Sequence, residues 1–154
     1  SNVKINRGHI DGIGSGINGI PLGEYHRGFT CLCVVLLSNL PEDFMGNFAV
    51  WPKSHHVVSE HLIKHGHEIL AQGMPELENP EPMHMCKGQA GDIIFAHQLL
   101  KHAASPNLSP FIRYAAIFRV CHKNIKGHEN DLYEDMWCEF EGLQDLVQEQ
   151  QHMQ

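Results

Sequence analysis

The chain has 154 residues and a formal net charge of −7, with 11 Lys+Arg against 18 Asp+Glu and no basic run. That balance argues against nucleic acid as the main partner. A composition of 42% hydrophobic and 19% charged residues, without a low-complexity tract, argues against a disordered chain.

In chain order, residues 3–10 alternate apolar and polar side chains and predict a short strand. Residues 11–23 hold five glycines and a proline and predict a mobile loop. Residues 28–37, rich in β-branched and apolar side chains, predict a buried strand. A turn at 39–43 and a short strand at 46–51, closed by Pro52, follow. Val58, Leu62, Ile63, Ile69 and Leu70 predict a helix over 57–71. Residues 76–82 read as a Pro/Glu/Asn loop. Gly91-Asp92 reads as a turn, 93–96 as a strand, 105–110 as a turn and 112–120 as a strongly alternating strand. Leu132, Met136, Phe140, Leu143 and Val147 recur at helical steps and predict an amphipathic helix over 131–150.

Short strands joined by Gly/Pro turns, with two helices, predict a mainly β fold with flanking helices, a jelly roll. One domain spanning 1–154 is expected at this length, with a β core over about 3–120. The longest apolar run, residues 31–37, is too short to cross a membrane, so no membrane partner is expected. Five cysteines, an odd number with no C-x-x-C pair, fit free thiols in a reducing compartment. An intracellular, cytoplasmic protein is the expectation. The C-terminal His152-Met153-Gln154 is not a peroxisomal Ser-Lys-Leu address, though a peroxisomal location stays open.

The chain carries 13 histidines, most of them expected to be solvated. One pair stands apart. In His9-Ile10-Asp11, a strand would turn residues i and i+2 to the same face, so both side chains can aim at one metal ion. Alone, H-x-D is a weak signal among so many histidines. A second His from a distant strand would complete a two-His, one-carboxylate face with open positions, the pattern of non-haem Fe(II) oxygenases. Arg113 follows the turn at 105–110. If that turn returns the chain as an antiparallel hairpin, Arg113 sits beside the strand it came from, displaced from the metal. A guanidinium there suits the distal carboxylate of 2-oxoglutarate. Ala115, Ile117 and Arg119 share its strand face. The small Ala115 leaves room for the co-substrate, and Arg119 reads as a surface or structural arginine.

Taken in order, His9-Ile10-Asp11, residues 46–50 leading into Trp51-Pro52-Lys53-Ser54-His55, Gly91-Asp92, His102 with Asn107, and Arg113 resemble the phytanoyl-CoA dioxygenase family of Fe(II)- and 2-oxoglutarate-dependent oxygenases. The resemblance covers about residues 9–120. It implies a double-stranded β-helix of cupin-like form, metal ligands His9, Asp11 and His102, and Arg113 as the 2-oxoglutarate anchor. It departs at Met45, where the family has Asn, and at Lys53, where it has Gly. It also implies an N-terminal helical part and a further strand before H-x-D, so a fold truncated at the N-terminus is expected. Halogenating relatives replace the Asp with a small residue, so Asp11 implies hydroxylation.

The competing readings are plainer. His97, five residues before His102, would face the other way on one regular strand and reads as a core residue. Asp92 and Asn107 read as turn formers. His55 and His56 read as a loop at the pocket mouth, and His61 and His65 as a solvated helix face. The function expected is a dioxygenase that couples 2-oxoglutarate and O2 to hydroxylation of an aliphatic C–H bond. Its substrate would be a small molecule or an acyl group, and succinate and CO2 would be released. The alternatives are a non-catalytic metal-binding jelly-roll module and a cupin-type metalloenzyme that does not use 2-oxoglutarate. Neither the substrate nor the oligomeric state is legible.

Overall fold

The computed structural model describes residues 7–152. Six strands form two three-stranded antiparallel sheets: β1 (Cys31–Leu36), β2 (Phe48–Val50), β3 (His84–Met85), β4 (Ile93–His97), β5 (His102–Ala104) and β6 (Ala115–Val120). The first sheet runs β4-β1-β6 and the second β3-β2-β5. Two α-helices, α1 (Ser54–His65) and α2 (Glu141–His152), and two 3-10 helices, His67–Gln72 and Asp131–Tyr133, complete a small mixed α/β domain. Among the described residues, no helix is long and apolar enough to cross a membrane.

Alternation decides which faces are buried. In β1, Leu32, Val34 and Leu36 are buried, and they pack with Phe29, Leu40, Ala96 and Phe48 of the second sheet. The inner faces of the two sheets therefore share one core. On the outer face of the first sheet, Cys33 stands between Phe95 and Phe118 in the ladder, and both phenylalanines are exposed. A second cluster, Ile10, Val58, Leu62, Leu70, Leu99, Leu132 and Tyr133, lies where α1 and the 3-10 helices meet the 9–11 segment. All five cysteines are free.

Several elements differ from expectation. Of the strand expected over 3–10, residues 3–6 lie outside the described residues, and His9 makes only an isolated bridge, to His102. The helix expected over 57–71 starts earlier, at Ser54, and stops at Gly66, whose φ of 80° is left-handed; the chain resumes as a 3-10 helix. The helix expected over 131–150 is α-helical only from Glu141. Its first part is a 3-10 turn and an irregular segment, because Trp137 and Phe140 pack on His97 and Glu139 pairs with Arg27. Contacts to the core on several sides outweigh the helical period there.

The hairpin expected between His102 and Arg113 does not form. β5 pairs with β2, whereas β6 pairs with β1 in the other sheet. Residues 105–114 thus cross between sheets, with Met45 bridging Asn107 on the way.

Candidate metal centre

His9, Asp11 and His102 come together. Each offers one donor atom, and the three atoms lie within 4.8 Å of one another. Local structure explains how. His9 and His102 exchange reciprocal backbone hydrogen bonds of 2.9 Å, His9 N–H to His102 O and His102 N–H to His9 O. That antiparallel pair fixes the two imidazoles side by side, with ring centroids 4.7 Å apart. Ile10, between the two N-terminal ligands, is 1% exposed and anchored in the α1 cluster. Alternation then turns His9 and Asp11 to the opposite side.

Asp11 Oδ1 lies 3.3 Å from His9 Nε2 and 3.6 Å from His102 Nε2. Ligands held at roughly 2.0–2.2 Å from a common ion stand about 3–3.5 Å apart at right-angled to tetrahedral geometry, so this spacing suits a metal. His102 Nδ1 lies 2.9 Å from the Leu100 carbonyl, which can only accept. Nδ1 therefore carries a proton, and Nε2 is the nitrogen that faces Asp11. Hydrogen bonds from His102 first, then His9 and Arg119, hold the Asp11 carboxyl well below the ordinary carboxylate range against the opposing effect of burial. Two imidazole nitrogens and one carboxylate oxygen make a donor set that fits a divalent cation. His102 is buried, Asp11 mostly so, and His9 half-exposed.

A cavity of about 840 Å³ opens beside His9 and Asp11. His9, Asp11 and Arg119 line it beside Phe29 and the glycine-rich loop. The loop is closed on itself by the Ile13–Tyr25 bridge and a 2.9 Å bond from Gly14 N–H to Glu24 O. Arg119 is the residue the sequence reading undervalued: its Nη2 donates to Asp11 Oδ2 at 2.9 Å. The available signal was its place on the inward register of β6, opposite the buried Leu32.

Arg113 is not in this cavity. It precedes β6 and lines a separate one of about 450 Å³ with Ser38, Leu40, Met45, Phe111 and Tyr114. Its stem packs on Gly46, where an added Cβ would lie 3.3 Å from Arg113 Cβ. Its Nε is buried without a partner, and burial lowers its pKa.

The remaining candidates fall outside the centre. His97 bonds the Met136 carbonyl through Nε2 at 2.8 Å and packs on Trp137 and Phe140. His55 opens α1 against His56 and His97. Asp92 Oδ2 accepts from Gln89 N–H and Asn107 Oδ1 from Ser109 N–H, so both close turns. His61 and His65 stack on α1 at 4.5 Å.

Comparison with protein-family models, with curated proteins and with solved structures returned no match to this chain. Membership of the phytanoyl-CoA dioxygenase family therefore stays a resemblance. The site itself is a facial-triad-like cluster able to chelate a metal ion, in a mixed α/β fold, consistent with a metal-binding oxygenase superfamily.

Proposed function

We propose that the chain is an Fe(II)- and 2-oxoglutarate-dependent oxygenase that hydroxylates an aliphatic C–H bond of a small-molecule or acyl substrate. The observation that carries the reading is the meeting of His9, Asp11 and His102, the first two of which line a cavity. Three protein ligands on one side leave further positions open for a chelating 2-oxo acid and O2, which is the use to which non-haem iron enzymes put this ligand set. A jelly-roll core is supported by the way successive strands are dealt to two facing antiparallel sheets, and by the His9 bridge added beside β5.

With iron, 2-oxoglutarate and O2 bound, the site would gain the oxidising chemistry, with succinate and CO2 as by-products. The chain's own residues bind and orient. His102 presents Nε2 because Leu100 O holds its other nitrogen. Asp11 supplies the negative charge. Arg113 is the proposed anchor for the distal carboxylate, supported by its buried, unpartnered Nε, a donor that an incoming anion would satisfy. The cavity, within the usual range of roughly 300–1,000 Å³ for small-molecule sites, is large enough for a substrate.

A second reading rests on Arg113 lining a different cavity from His9 and Asp11: a metal-binding module without 2-oxoglutarate turnover. Anaerobic titration with Fe(II) and then 2-oxoglutarate separates the two. The oxygenase reading expects a saturable metal-to-ligand charge-transfer band, lost in His102→Ala and weakened in Arg113→Ala, with succinate formed once O2 is admitted. Iron binding with no band and no succinate establishes the module instead.

A further inference from the structure

We propose that Arg119 is the positioning residue of the metal centre: it holds one oxygen of Asp11 so that the other alone is offered to the ion. The proposal rests on the metal-binding reading of the triad and adds a residue to it.

The two carboxylate oxygens have different surroundings. Oδ1 faces both imidazoles, at 3.3 and 3.6 Å. Oδ2 accepts from Arg119 Nη2 at 2.9 Å. A carboxylate free to rotate about its terminal torsion can present either oxygen or both. One tied by a directional, charge-assisted bond at Oδ2 cannot turn without losing it. The tether is itself braced. Arg119 lies opposite Leu32 in the β1–β6 ladder, and its guanidinium carbon sits 5.5 Å from the centroid of the buried Phe29 ring. Asp11 lies in the segment leading into the glycine-rich loop, so the bond joins that segment to the sheet across 108 positions of sequence.

An exposed ion pair contributes little to stability, and Arg119 is 63% exposed. Its effect is on orientation. Groups that bond the outer atoms of metal ligands typically change metal affinity about 10–100-fold when removed. The sign of the change separates this role from a merely electrostatic one. A guanidinium beside a cation site repels the cation, so if charge were all that Arg119 contributed, its removal would tighten metal binding. A positioning role predicts the reverse.

The test uses Co(II) as the probe, titrated into the metal-free chain against a competing chelator and followed by its visible d–d absorption. Arg119→Gln and Arg119→Ala should bind Co(II) about 10–100-fold more weakly, with an altered absorption envelope. Arg119→Lys should restore most of the affinity. Arg7→Ala, which removes a cation from the exposed Arg7–Glu76 pair, should leave affinity unchanged. Thermal unfolding of each metal-free variant separates ligand positioning from lost folding. Unchanged or tighter Co(II) binding in folded Arg119→Gln and Arg119→Ala overturns the proposal while leaving the metal centre standing. Absence of Co(II) binding to the unsubstituted chain overturns both.

Discussion

Arg27 and Glu139 form an ion pair whose side chains are 0% and 6% exposed, and it ties the irregular segment before α2 to the entrance of β1. Arg27 also donates to the Glu129 carbonyl at 2.7 Å, and Thr30 donates to the same Glu139 carboxylate. Burial would raise the Glu139 pKa, but the hydrogen bonds from Arg27 and Thr30 outweigh it and the carboxyl titrates below its ordinary value. Removing one partner leaves the other charge buried and unpaired, which costs about 3–5 kcal/mol. Arg27→Met and Glu139→Leu should each show that loss. For a chain of this size the loss corresponds to roughly 6–20 °C in Tm, at about 2–4 °C per kcal/mol. The double variant leaves neither charge and should recover at least about 2 kcal/mol relative to the sum of the singles. Urea unfolding followed by circular dichroism and by tryptophan fluorescence provides the cycle. Strictly additive losses, or single losses below about 1 kcal/mol, would show that the pair is solvated and that the segment before α2 is held by Trp137 and Phe140 instead.

Two further outcomes follow from local chemistry. Burial lowers the His55 pKa from 6.5 to about 4. The unfolded chain takes up a proton below pH 6.5 that the folded chain refuses, so the stability this group confers is intact above 6.5 and is lost as pH falls toward 4. His97, lowered mainly by burial, acts in the same direction. The Tm of His55→Phe should therefore fall less steeply between pH 7 and 5 than that of the unsubstituted chain; equal slopes would refute the assignment. A Cβ on Gly14 would stand 1.9 Å from the Pro21 carbonyl oxygen and 2.7 Å from that of Glu24, whereas one on Gly142 in α2 meets nothing within 4 Å. Gly14→Ala should cost about 1–3 kcal/mol and Gly142→Ala should be neutral or mildly stabilising, compared by denaturant titration.

The strand positions at 31–36 and 115–120 were legible from their apolar, strand-forming composition, although burial alternates only in the first. Their partners were not. The turn at 105–110 looks locally like a hairpin, and only the competition of β1 for β6 reveals that it crosses between sheets. His9 and Asp11 were readable from spacing, since a bridge segment turns alternate residues to one side. His102 needed the family resemblance to be preferred over His97. Arg119 was underrated because an exposed arginine on a terminal strand has no local mark that tells a tether from a solvated charge. The early end of α1 and the late start of α2 have different causes. Gly66 is a local stop that the sequence shows, whereas the irregular 134–140 segment is imposed by Arg27 and His97, distant in sequence.

The reciprocal bonds between His9 and His102 have a consequence beyond chemistry. An ion held by His9, Asp11 and His102 would cross-link nearly the full length of the β core, fastening the segment before the glycine-rich loop to a strand laid down far later in the chain. Such a clasp binds the folded chain alone, so at a thousandfold excess over its dissociation constant the ion would add about 4 kcal/mol to global stability. Metal supply would then govern how long each copy of the protein survives proteolysis.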